Sequence, residues 1–149
     1  MALRRILRIG EPALRSKARE VTRVDGRIKT LLNDMYETMT AAEGFGLAAV
    51  QVGVMRRAVV INTGEGRIDL INPRIVSATG GQTGEEGCLS VPEQRGDVER
   101  PMIVVVESMD IDGNERTITG EGLLARVICH EIDHLDGIMF VDRIISHEK

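Results

Sequence analysis

Two of the chain's three histidines stand four residues apart in His130-Glu131-Ile132-Asp133-His134, with a carboxylate directly after the first. On an α-helix that spacing sets both imidazoles on one face, one turn apart. The run from Gly120 to Cys129 upstream and Gly137 downstream bracket a helix of about four turns. At about 100° per residue the histidines fall beside Leu123 and Val127, inside an apolar stripe that turns toward a core. Two polar rings are costly there unless something binds them, and a metal ion binds both. The pattern is His-Glu-x-x-His: two neutral imidazole ligands and a glutamate placed to take a proton from the metal's water. The competing reading of the same five residues is a core helix whose histidines are hydrogen-bonded.

A third ligand has several candidates. Cys88 lies in Gly84-Glu85-Glu86-Gly87-Cys88-Leu89-Ser90-Val91-Pro92, and thiolate with imidazole suits Zn(II) or Fe(II). Cysteine is otherwise most often a small buried hydrophobe. Cys129 sits about 100° around the helix from His130 and is poorly aimed at the same ion. His147 is close to the C-terminus, and Asp136 and Asp142 stay open. A metzincin peptidase would carry a third histidine where Phe140 stands, three residues after Gly137, so that reading lacks one ligand.

The elements that must position these residues are legible in outline. From Asp25, apolar residues at Ile28, Leu31, Leu32, Met35 and Met39 predict an amphipathic helix that ends at Glu43-Gly44, with Tyr36 as a packing residue. Residues 4–21, with Pro12 near their middle, read as an extended arm. Leu3, Ile6, Leu7, Ile9, Leu14 and Val21 are available there for packing, and no chemistry is visible. Residues 57–62 and 68–79 carry β-rich runs broken at Asn72-Pro73, and residues 102–107 give the strongest strand signal. Asp110 to Asn114 predicts a turn, with residues 116–119 returning. Strands first and a late buried helix predict an α+β fold, with short antiparallel sheets packed around a central helix that carries the metal motif. Residues 1–149 are expected to form a single catalytic domain.

Gly44 to Gly53 is a glycine-flanked run of small apolar residues with one amide, Gln51. Glycine lets a backbone approach a ligand closely. A phosphate loop is disfavoured, since neither Gly-Lys-Ser/Thr nor a complete Gly-x-Gly-x-x-Gly is present. A buried Gln51 needs partners at both ends of its amide, either backbone or substrate. Residue chemistry alone favours backbone.

Composition narrows the function classes. Of 149 residues 42% are hydrophobic, 28% charged and only 2% aromatic, so aliphatics and the seven methionines must build the core. Stacking platforms for single-stranded nucleic acid are not expected. A formal net charge of −4 without a long basic run argues against nucleic acid or an anionic membrane as the main partner, leaving only a local basic patch at Arg4, Arg5 and Arg8. No apolar run reaches the length of a membrane span, and the first residues mix charge with apolar side chains unlike a signal peptide, so a cytoplasmic protein is expected. The two cysteines are not expected to pair there.

Gly44 to Gln51, Glu86 to Ser90 and His130 to His134 also stand in the order of the three motifs Gly-x-Gly-Leu-Ala-Ala-x-Gln, Glu-Gly-Cys-Leu-Ser and His-Glu-x-Asp-His, and with them the chain resembles the peptide deformylases. The likeness runs from Ile9-Gly10-Glu11-Pro12 to Gly137-Ile138-Met139-Phe140. It implies removal of the N-formyl group from the N-terminal formylmethionine of newly synthesised polypeptides, releasing formate. It implies one divalent metal per chain on Cys88, His130 and His134, with Fe(II) expected and Zn(II), Ni(II) or Co(II) compatible. Glu131 becomes the general base and then the acid, and Gln51 with the Leu89 backbone N–H becomes the oxyanion partner, replacing the structural reading of Gln51. Phe45, Glu86, Leu123 and Val127 would surround the methionine side chain. Gly46 and Val91 would pair with the substrate backbone, Arg95 would lie near it, and Asp133 would brace the site.

Two departures are visible. Phe45 is bulkier than the Ile or Val common at its position. The sequence stops at Lys149, where many bacterial members continue into a basic helix implicated in ribosome contact, which puts ribosome association by that route in doubt. Two competing readings remain: a metallopeptidase on the same helix, and a deformylase-like protein that holds metal for structure or storage. Formyl release without peptide cleavage separates the first, and Glu131 and Gln51 speak against the second, since neither is needed merely to hold an ion.

Overall fold

The computed structural model describes residues 2–146. An arm bent by a 3-10 turn at Pro12–Arg15 leads into α1 (Gly26–Ala41), β1 (Gly46–Ala48) and a second 3-10 turn, Ala49–Val52. Strands β2 (Ala58–Ile61), β3 (Ile68–Thr79), β4 (Gln82–Cys88), β5 (Val91–Arg100), β6 (Ile103–Met109) and β7 (Glu115–Glu121) follow. Helix α2 (Leu123–Leu135), a 3-10 turn at Phe140–Asp142 and β8 (Ile144–Ser146) complete the order. The strands pair antiparallel in two sheets, β1-β2-β3-β6-β7 and β4-β5-β8. The α+β expectation holds, and α2 carries His130 to His134.

Strand β2 shows how the helices are held. Val59 and Ile61 pack with Ile128, Cys129 and Leu135 of α2, whereas Ala58 and Val60 pack with Leu31, Met35 and Met39 of α1. Successive strand residues face opposite sides, so a strand covered on both faces must be apolar throughout. All four residues of β2 are buried. Helix α1 starts on Asp25, whose carboxylate accepts from Arg27 N–H and Ile28 N–H at 3.1 Å each.

Three sequence expectations change. Asn72-Pro73 does not break a strand: β3 runs through it with a register shift, and Asn72 sits there at φ 52°, a region asparagine tolerates better than most residues. Its side-chain amide closes on Val21, accepting from the N–H and donating to the C=O at 2.8 Å each, which ties the arm to the sheet. The cysteine-bearing stretch is a hairpin, β4 and β5, although its glycines and charges carry little β signal. Pairing with β8 and burial of Val91 and Val98 among Leu7, Leu14, Met139 and Phe140 stabilise it instead. Along the arm Leu7, Leu14 and Val21 are buried, but Leu3 and Ile9 are exposed. His147 lies outside the described residues.

Helix α2 stops at a left-handed glycine. Gly137 has φ +77°, and Ile138 N–H reaches back to Asp133 C=O at 2.9 Å. A Cβ at Gly137 would stand 2.6 Å from the Arg15 carbonyl oxygen of the arm. Replacing Gly137 with Ala therefore combines left-handed strain of about 1–2 kcal/mol with a backbone clash. Urea unfolding of Gly137→Ala should show a loss of at least that size.

Candidate metal centre

Cys88 closes β4, and the two-residue turn Leu89-Ser90 reverses the chain into β5. The turn projects the thiol toward α2, where Cys88 Sγ lies 3.3 Å from His134 Nε2. One ligand atom from each of Cys88, His130 and His134 falls within a 4.8 Å span, and this is the one such triad found among the described residues. Asp136 pairs instead with Arg57 and Asp142 with Arg15. Cys129, on α2, is buried in the core. Phe140, standing where a third histidine would, stacks on the His130 ring at 6.0 Å between centroids.

His130 is oriented from behind. Its Nδ1 lies 2.9 Å from Glu86 Oε1, which leaves Nε2 for the centre. Glu86 is itself gripped by Arg100, through Nε and Nη2 at 2.9 Å each, and by Arg126 Nη1 at 2.6 Å. Arg100 Nη1 continues to Asp133 at 2.8 Å, and Arg143 Nε holds the same carboxylate at 2.6 Å. Burial alone would raise the Glu86 pKa, but hydrogen bonds from Arg100 and His130 overcome it and bring it down to about 2. Burial likewise opposes a charge on His130, yet hydrogen bonds to Cys88 and Glu86 push its pKa up to about 10. His134, enclosed without an acid of its own, is lowered chiefly by burial.

The triad fits a divalent metal on its donor chemistry. One thiol and two imidazoles converge within bonding reach of a single point, and a divalent cation there would hold them as thiolate and neutral rings. Three protein donors leave a coordination position open, as a catalytic centre requires. Glu131 Oε1 is also buried with no protein partner. Burial first, then the neighbouring Glu86, raises its pKa to about 7 despite His130, which suits a carboxylate that exchanges protons near neutrality.

The backbone comes close here for a reason. A Cβ on Gly46 would lie 2.7 Å from Glu131 Oε2 and 2.9 Å from Val127, so only glycine leaves room for this carboxylate beside β1. Gln51 is fixed at one end, its Oε1 accepting Ala48 N–H at 2.9 Å. Its Nε2 turns to the centre, 3.1 Å from Ser90 Oγ and 3.5 Å from Cys88 Sγ. Both readings of Gln51 are present at once: one end is structural and the other faces the site.

A cavity of ≈ 350 Å³ opens on the triad. Phe45, Gly46, Gln51, Leu89, Leu123, Val127, Arg95 and Glu86 border it. Phe45 and Leu123 are the exposed rim. Glu86 reaches the cavity but directs its carboxylate to Arg100, Arg126 and His130, so it serves the His130 ring more than an apolar side-chain pocket. The Val91 side chain is fully buried among Leu7, Leu14 and Val98 and does not line the cavity. Arg95 reaches the cavity while paired with Glu85 at 2.7 Å. A roomier hollow of ≈ 930 Å³ lies elsewhere, walled by ion pairs such as Arg57 to Asp136, and includes none of the triad.

Sequence reasoning missed Arg100 and Arg126. Arg126 stood within the apolar stripe of α2, and a buried guanidinium there demands a carboxylate, which was a usable signal. It read the arm as packing alone and missed its backbone bonds to the site: Leu7 N–H donates to Gln51 C=O at 2.7 Å and Ile9 N–H to Ser90 C=O at 2.9 Å.

A family model described as polypeptide deformylase matches residues 3–149. A relative from Caldanaerobacter subterraneus subsp. tengcongensis named peptide deformylase is 55% identical over 145 residues, 97% of this chain and 91% of its own. One of the same name from Alkaliphilus metalliredigens is 54% identical over 146 residues, covering 98% and 99%. Among solved structures, a peptide deformylase from Thermotoga maritima superposes with a TM-score of 0.94 at 39% identity, covering 97% of this chain and 99% of that one. One from Ehrlichia chaffeensis in complex with actinonin gives 0.95 at 40% identity, covering 98% and 91%.

Losing the orienting charge should loosen the metal without unfolding the chain's core. Glu86→Gln is expected to lower metal affinity 10- to 100-fold, read by competition with a chromophoric chelator. Unchanged affinity would show that His130 needs no such partner.

Proposed function

We propose, from the premise that the chain belongs to the polypeptide deformylase family, how its own residues carry that family's reaction, the removal of the N-formyl group from nascent peptides. The observation that carries the reading is the convergence of Cys88, His130 and His134 beside the Gln51 amide nitrogen, which faces Cys88, and beside Glu131, whose buried Oε1 has no partner. A divalent cation on the three donors supplies Lewis acidity and lowers the pKa of a water at its open position. We take the metal to be Fe(II), with Zn(II), Ni(II) and Co(II) compatible with the same donors.

Glu131 takes a proton from the attacking water and hands it to the departing amine nitrogen, so one carboxylate serves both halves of the hydrolysis. Gln51 Nε2–H and Leu89 N–H donate to the formyl oxygen, where negative charge develops as water adds to the formyl carbon. The grip of Ala48 N–H on Gln51 Oε1 holds that donor ready before substrate arrives. C–N cleavage then leaves formate and a free N-terminus. The substrate enters as an extended strand. β1 is the outer strand of one sheet and β4 of the other, and the cavity lies between them, so Gly46 and the Cys88 turn can offer backbone groups to a peptide. Val91 on this reading contributes through its backbone only. Phe45, Leu123 and Val127 close around the methionine side chain, with Arg95 at the edge of the cavity.

We read residues 1–149 as one catalytic domain, which the continuous packing of arm, sheets and α2 supports. The partner is the nascent chain itself. No described helix is long and apolar enough to cross a membrane, and we place the protein in the cytoplasm, where such chains emerge.

The test is formate release from N-formyl-Met-Ala-Ser by anaerobically purified protein, with metal analysis and an internal-cleavage control. Formate with about one metal per chain and no cleaved peptide bond is expected. Glu131→Ala should keep that metal and lose turnover by 10²- to 10⁴-fold; full activity in the variant would remove the mechanism. Thiolate ligation further predicts that the iron form fades in air through metal loss or oxidation of Cys88, while nickel-loaded protein persists. Equal decay of the two forms in an aerobic time course would contradict that account.

A further inference from the structure

The cavity over the triad does not end at its rim. Leu89 and Pro92 line it and also line a second, shallower groove of ≈ 430 Å³ beyond the turn. The far walls of that groove are Leu3 and Ile6 of the arm and Ala41 and Ala42 at the end of α1. Leu3 is 62% exposed, and Ala41, Ala42 and Pro92 are exposed as well, so a trough stands open in the described structure, apolar but for the Arg4, Arg8 and Thr38 that also line it. Its walls are firm. Ala2 N–H donates to Asp34 Oδ1 at 3.0 Å and Arg4 N–H to Thr38 Oγ1 at 2.9 Å, which fastens the arm to α1 on either side of Leu3.

A nascent chain is a polymer held by its N-terminus, so whatever follows the bound residues must leave across the surface. The edge of β1 is three residues long, and an extended peptide advances about 3.3 Å per residue. A chain longer than about three residues outruns such an edge, and the groove is what adjoins the slot past Leu89. From this continuity, and resting on the reading above, we propose that the trough between the arm and α1 is an exosite for about the fourth to sixth residues of the nascent peptide, with preference for apolar side chains. Binding there is remote from the reacting atoms and equal in ground and transition states, so it lowers KM and leaves kcat unchanged.

The test compares N-formyl-Met-Ala-Ser with the same tripeptide extended by Leu-Leu-Leu or Gly-Gly-Gly, using metal-loaded wild-type protein, Leu3→Asp and Ala42→Glu. The two substitutions sit on exposed positions of opposite walls, so a fault in one wall's folding does not decide the result. Expected is a KM about fivefold lower for the Leu extension than for the other two, lost in both variants, with tripeptide kinetics the same in all three proteins. Equal KM values for all peptides overturn the exosite while leaving deformylation intact, as does a Leu advantage that survives in both variants. Formate from no peptide overturns both readings. Sedimentation is run alongside: a wild-type dimer that Leu3→Asp and Ala42→Glu both dissolve assigns the trough to a second copy of the chain and overturns the peptide assignment.

Discussion

The bond between Glu86 and His130 Nδ1 is the contact on which the centre depends. It decides which ring nitrogen faces Cys88 and His134, and it needs an ionised carboxylate in a buried place. Taking such a charge out of water costs several kcal/mol unless strong partners replace the lost solvation. Arg100 and Arg126 are those partners, and each comes from a different part of the fold: Arg100 from the last residue of β5, Arg126 from the first turn of α2. The sheet that supplies Cys88 and the helix that supplies both histidines are thereby locked by the same carboxylate that aims one of the ligands. Asp133 and Arg143 carry the network from Arg100 toward the C-terminal strand.

Glycine does the complementary work. Charges fix where groups point, while the missing side chain at Gly46 fixes how near the backbone of β1 comes to Glu131. A carboxylate raised in pKa by burial is useful only if substrate can still reach it, and the bare edge of β1 meets both needs. Gln51 belongs to the same economy of space. One end of its amide completes a short turn, which frees the other end to serve the site at no further conformational expense.

Much of this was legible before any coordinates. His130 and His134 could be paired by spacing alone, and the resemblance in three motifs then joined Cys88, Gln51 and Glu131 to them. Helix α1, the strand at 102–107 and the late helix were readable because their apolar periods match one covered face. The hairpin at 82–100 was not, since its residues are chosen for ion pairing and turn geometry more than for β preference, and its stability comes from distant partners such as Leu7 and Phe140. Asn72-Pro73 misled in the same way: a local breaker signal was absorbed by a bulge that the arm makes worthwhile. Arm bonds to Gln51 and Ser90 run through backbone amides, which leave no mark on side-chain identity.

Those arm bonds also order the events of the protein's own birth. Leu7 and Ile9 are made well before their partners Gln51 and Ser90, and Ala18 N–H waits for Leu135 C=O. Contacts so distant along the chain close slowly, because the entropy of a long loop must be overcome before the contact rewards it. His134 follows Cys88 by 46 positions, so no shorter portion of the chain contains the whole centre. The centre is thus complete only once the chain has been made through α2, and the arm's bonds close only after their distant partners exist.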